Sequence, residues 1–131
     1  IIYSAAENTG VYFAFKTRED KLTEFAREIN SYKNISQISD AMLNYDFIDE
    51  DKYIFDNYGV DESKFKELNR KMEQLGINTV KIRRNHIYIY TTTGLGKLLF
   101  VNKEKPDLTP HTPEGRIDIY LGNNWYKWSY N

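Results

Sequence analysis

From about residue 77 to the C-terminus the chain reads as a series of paired strands whose side chains sort by type, aliphatics on one parity and tyrosines on the other. A two-residue turn at Arg84 and Asn85 pairs Ile82 with Ile87 and Val80 with Ile89, and leaves Lys81 opposite Tyr88 and Thr79 opposite Tyr90. Because strand side chains alternate with period two, those two sets must face opposite ways. The pattern predicts a sheet with one face for a core and a second, tyrosine-bearing face.

Further strand signals continue the pattern. Gly94 and Gly96 mark a turn into a strand over Lys97 to Asn102. Gly122, Asn123 and Asn124 then separate strands over Arg116 to Leu121 and Trp125 to Tyr130. In a regular hairpin there, Ile117, Ile119 and Leu121 share a face with Tyr126, Trp128 and Tyr130, so these three aromatics are expected in the core. Asp118, Tyr120, Trp125, Lys127 and Ser129 are expected opposite them.

The N-terminal half carries helical periodicity. Residues 11–16 alternate and are aromatic-rich, which predicts a short N-terminal strand, and Thr17 with Asp20 three residues on has the spacing of a capping box. Leu22, Phe25, Ala26, Ile29 and Tyr32 then recur at helical spacing, predicting a helix to about Lys33. Ile35, Ile38, Met42 and Leu43 suggest a shorter one. A third helix is predicted with Asp61 as its cap, Phe65, Leu68, Met72 and Leu75 as its buried stripe, and Gly76 at its C-terminal end. Helices first and strands second is the order of an α+β domain. The expected architecture is an N-terminal strand and two to three helices packed on one face of a C-terminal antiparallel β-meander of about five strands, a single domain over residues 1–131.

Composition narrows the class. The chain is 40% hydrophobic and 28% charged, and its 131 residues suffice for one core without covalent staples. It contains no cysteine, which removes disulfides, thiolate metal sites and a cysteine nucleophile. No stretch approaches the roughly 18 apolar residues of a membrane span, so the sequence reads as soluble. The non-Met, apolar start at Ile1, Ile2 and Tyr3 is what the soluble part of an exported or envelope-anchored protein would leave. The net charge of −1 is unevenly placed: residues 46–62 carry net −6 and residues 63–105 net +7. The two blocks either compensate each other or form separate faces for partners.

Catalytic motifs are sparse. His86 reads as an exposed residue beside a turn. His111 lies with Asp107 and Glu114 in a fourteen-residue connection, Asn102 to Gly115, that holds all three prolines. A hydrolase using His111 with Asp107 or Glu114 is the enzymatic alternative, although the spacing fits no metal-ligand pattern. Asp46, Asp49, Glu50 and Asp51 lack the alternation of a calcium loop. The run Thr91 to Gly96 lacks the following Lys-Ser/Thr pair and the helix of a phosphate loop and reads as a strand-to-strand turn. No cofactor is implied.

Tyrosine, tryptophan and arginine supply most hot-spot energy at protein interfaces. The sequence therefore reads as a small non-enzymatic binding domain that presents Tyr88, Tyr90, Tyr120 and Trp125, with Arg84 nearby and His111 in the proline loop, to a protein partner. An alternative is an intracellular, immunity-like protein that neutralises its partner by docking through the acidic segment. Lysines and arginines beside the tyrosines also permit single-stranded nucleic acid, against which the negative net charge argues.

Overall fold

In a computed structural model of the chain, residues 3–4, 9–31, 41–44, 62–83, 86–101 and 115–130 are described. Among these residues, three helices precede or interrupt a seven-stranded sheet: β1 (Tyr3–Ser4), α1 (Thr9–Lys16), α2 (Glu19–Ser31), β2 (Ala41–Asn44), α3 (Glu62–Leu75), β3 (Ile77–Arg83), β4 (His86–Thr91), β5 (Lys97–Val101), β6 (Arg116–Gly122) and β7 (Trp125–Ser129). The order across the sheet is β1-β6-β7-β5-β4-β3-β2. The five C-terminal strands pair antiparallel throughout, and the expected α+β architecture holds. Strand β7 enters between β5 and β6, which places β5 at the centre of the sheet. That position explains why four of its five residues, Leu98 to Val101, are buried and why it reads as an unbroken apolar run.

The helices cover one face. Leu22, Phe25, Ala26 and Ile29 of α2 and Phe65, Leu68 and Met72 of α3 pack with Val80, Ile82, Ile87, Ile89, Leu98, Phe100, Ile119, Leu121 and Trp125 in one cluster. Each such aliphatic contributes about 1.5–3 kcal/mol by leaving water. The ion pair between Lys71 on α3 and Glu28 on α2, at 2.7 Å and partly exposed, contributes about 1 kcal/mol or less. Apolar packing, not charge, holds the helices to each other and to the sheet.

The β3–β4 hairpin has the register expected from the sequence, with Ile82 opposite Ile87, Lys81 opposite Tyr88, Val80 opposite Ile89 and Thr79 opposite Tyr90. Helix α3 also follows its stripe, and Gly76 at its end has φ +68°. Its amide donates to the Glu73 carbonyl at 3.1 Å. Residue Asp61, the expected cap, lies outside the described residues.

Three local expectations are corrected. Residues 11–16, expected as a strand, belong to α1, where Phe15 reaches the core at 0% exposure and Val11 packs partly buried against the same cluster. The alternation of aromatics imitated a strand, but the chain closes helical bonds, the Thr17 amide donating to the Phe13 carbonyl at 3.3 Å. Thr17 is not the N-cap of α2, because its hydroxyl donates to the Ala14 carbonyl at 2.9 Å, at the C-terminal end of α1. The first carbonyl of α2 is that of Arg18, which accepts from the Leu22 amide at 3.0 Å. Met42 and Leu43, expected in a short helix, lie in β2, which pairs along the edge of β3 from Ala41↔Ile82 to Asn44↔Thr79. Pairing along the edge of β3 overrides a weak local preference over so few residues.

The largest correction concerns β6. Gly122 pairs with Trp125 across a turn in which Asn123 and Asn124 both have positive φ, 50° and 70°, the geometry of a tight two-residue hairpin. Two irregularities then shift the register, between Tyr120 and Gly122 and between Ile117 and Ile119. Each inserts a residue and exchanges the faces. Tyr120 therefore lies opposite Tyr126 and Ile117 opposite Trp128, while Ile119 pairs with Lys127.

Candidate functional site: the tyrosine-bearing face of the sheet

The face away from the helices is built from alternate residues of five strands. Register places Lys81 of β3, His86, Tyr88 and Tyr90 of β4, Lys97, Leu99 and Val101 of β5, Tyr126 and Trp128 of β7, and Ile117 and Tyr120 of β6 on the same side. Tyr88, Leu99, Val101, Ile117, Tyr126 and Trp128 form a second buried cluster there, with Tyr90 against it. The centre of this face is packed. Tyr88 has 0% exposure and meets Trp128 edge-on at 5.2 Å, and the Trp128 indole donates to the Leu98 carbonyl at 3.0 Å.

The expected binding residues therefore divide. Tyr88 belongs to the buried centre, and Trp125 lies on the helix side, fully buried against Phe15 and Phe100 with its indole donating to the Thr23 hydroxyl at 2.9 Å. Neither offers surface to a partner. The pairing of Trp125 with Phe100 of β5 sets its side, and Tyr88 is covered by Trp128 and its neighbours in the second cluster. Tyr90 is half-buried and Tyr120 is 42% exposed. Tyr126 and Trp128 are buried as expected, but on this second face, and Tyr130, expected in the core, is 59% exposed. Arg84, His111 with Asp107 and Glu114, and the acidic residues 46–61 lie outside the described residues.

The accessible margin has two parts. On one flank Tyr120 leans on Tyr126 with ring centres 5.0 Å apart and planes at 40°. On the other, Tyr90, Trp128 and Tyr130 interlock: Tyr90 and Tyr130 meet Trp128 edge-on at 5.3 and 5.6 Å, and stand 6.4 Å from each other. Lysines lie over two of these rings. The Lys97 ammonium is 4.6 Å from the Tyr130 ring centre and that of Lys81 is 5.4 Å from the Tyr90 ring centre, distances at which the negative face of a ring attracts a cation.

Burial pushes the Tyr90 phenol up to about 12, its hydrogen bond to Tyr130 adding to this and that to Lys81 opposing it. At neutral pH Tyr90 is an uncharged donor and acceptor. Burial also raises Tyr126, with Tyr120 contributing. His86, expected to be exposed, is half-buried at the far end of the face with its ring 6.0 Å from that of Tyr88, and burial holds its imidazole below the ordinary value.

Elsewhere the surface carries depressions away from this face. A groove of about 410 Å³ between α2 and α3 is lined by Lys21, Phe25, Lys71 and Leu75 among others. A polar depression of about 520 Å³ lies where the start of α2 meets the β6–β7 turn. There Glu19, 9% exposed, accepts from Lys16 at 2.5 Å and from the Asn123 amide at 2.7 Å. Sequence reasoning missed Tyr130, hidden by the assumed hairpin register, and Phe13, 64% exposed on a helix read as a strand. Among the described residues no three His, Asp or Glu side chains gather as metal ligands would, and no helix is long and apolar enough to cross a membrane. No family model matches the chain, and no curated protein or solved structure is detectably similar to it.

Proposed function

We propose that this protein is a binding domain, without catalytic activity of its own, that docks a protein partner on the margin of its tyrosine-bearing sheet face. The observation that supports the reading is the clustering of accessible tyrosines on one side: Tyr130 and Tyr120 are two of the three large apolar side chains, with Phe13, that stand exposed among the described residues. Tyrosine is the residue an interface uses well, because its rigid ring buries much area at small entropic cost and its hydroxyl bonds across the contact. The rings beneath them are locked by edge-on contacts, so the margin is pre-organised and loses little freedom on docking.

Replacing Tyr120 and Tyr130 together with alanine tests this. The double variant is expected to keep a thermal midpoint within a few degrees of the parent and to lose the partner that the parent retains in quantitative affinity purification. Retention of the same partner by the double variant removes this face from the reading.

A further inference from the structure

Two lysines of the helices meet carboxylates: Lys16 reaches Glu19 at 2.5 Å and Lys71 reaches Glu28 at 2.7 Å. Lys127, half-buried in the middle of β7, does not. It stands opposite Leu98 of β5 and Ile119 of β6, both in the helix-side core cluster, and paired residues share a face, so its stem rises on the aliphatic side of the sheet. Its ammonium donates to the Leu95 carbonyl at 2.7 Å, in the turn between β4 and β5. It also packs closely on that turn, because a β-carbon added at Gly96, where φ is +65°, would lie 2.9 Å from Nζ. Among the described residues no carboxylate comes within ion-pairing distance of it. Asp118, which attracts it from farther off, is already bonded to the Arg116 guanidinium at 2.8 Å. An ammonium carries three protons to donate, and here one has an acceptor. Partial removal from water without an opposite charge favours the neutral amine. Burial holds Lys127 below the ordinary lysine value; Asp118 opposes this and the Lys97 cation adds to it. Desolvation and a neighbouring cation are the two means by which a lysine becomes a nucleophile near neutral pH.

We propose that Lys127 is a modification site that accepts an acyl group from an acyl thioester. The neutral amine attacks the thioester carbonyl carbon; the C–N bond forms, the C–S bond breaks, and the departing thiolate takes up the proton released by the nitrogen and leaves as a thiol. The amide product keeps one N–H for the Leu95 carbonyl, so the turn retains its bond while the half-buried cation is lost. By register Lys127 lies on the side of the sheet opposite the tyrosine margin, so the site is independent of the docking reading above.

Acetylation of the native protein by the acetyl thioester of N-acetylcysteamine, mapped by peptide mass spectrometry from about pH 8 to about pH 11, tests this. The internal reference is Lys21, exposed on α2, and the ratio of the two rates in one sample cancels hydrolysis of the reagent. At about pH 8 Lys127 is expected to be acetylated several-fold faster than Lys21, and the advantage to vanish by about pH 11, where both amines are neutral. Lys97→Gln removes the neighbouring cation and, in the folded variant, is expected to slow Lys127 at the lower pH while leaving Lys21 unchanged. Acetylation of Lys127 no faster than that of Lys21 at about pH 8 would overturn the assignment. So would a preference that stays constant to about pH 11, because it would come from something other than a readily neutral amine.

Discussion

Trp125 shows how one side chain's place is set by its polar end as well as its ring. Its indole is buried between Phe15 and Phe100, and its N–H is satisfied by Thr23 across 102 residues of sequence. Thr23→Val keeps the shape and removes the acceptor, so a buried donor is left without its partner. The expected loss is about 1–3 kcal/mol, read from the urea midpoint at unchanged slope. His86 makes a second prediction. Burial holds its folded-state pKa below the ordinary value, so as pH falls the unfolded chain takes up the proton first. Stability is then present above the unfolded value of about 6.5 and is lost as pH falls through the lower folded one. The thermal midpoint is expected to drop between about pH 7.5 and about pH 5.5, and the drop to be smaller in His86→Phe, with His111 unchanged in both proteins. An equal drop assigns the effect to other groups.

Elements were legible where local pattern and tertiary context agree. The β3–β4 register could be read from residues 79–90 because both strands alternate cleanly about a short turn. Helices α2 and α3 could be read because Leu22, Phe25, Ala26 and Ile29, and Phe65, Leu68 and Met72, keep a helical stripe. The β6–β7 hairpin could be located from Gly122, Asn123 and Asn124, but not faced correctly. Bulges at two places reverse the parity, and nothing in the types of Asp118 or Leu121 announces an inserted residue. Helix α1 was lost for a related reason: in eight residues, alternating aromatics fit a strand as well as a helix. The start of β6 also depends on close approach. A β-carbon at Gly115 would lie 2.1 Å from the Ser129 carbonyl oxygen and 2.8 Å from the Trp128 ring, whereas one at Gly94 meets nothing within 4 Å. Gly115→Ala is expected to cost about 1–3 kcal/mol or more and Gly94→Ala to stay within about 0.5 kcal/mol, by denaturant unfolding.

At the scale of the whole molecule, the sheet has two faces with different uses. One is filled by the helices. The other has a packed centre around Tyr88 and Trp128 and a margin where Tyr90, Tyr120 and Tyr130 reach the surface beside Lys81 and Lys97. The sequence could divide tyrosines from aliphatics in the β3–β4 hairpin, but not on β6 and β7, nor centre from margin, because that depends on β7 entering between β5 and β6. The division is the central claim, and the most direct test is the unfolding free energy of Tyr88→Ala beside that of Tyr130→Ala, measured in urea under identical conditions. Tyr88→Ala is expected to lose about 3 kcal/mol or more, as large-to-small changes in cores do. Tyr130→Ala is expected to lose no more than about 1 kcal/mol, the scale of an exposed ring and cation contact. Similar losses at the two positions, or a larger one at Tyr130, would contradict a face with a structural centre and a binding margin.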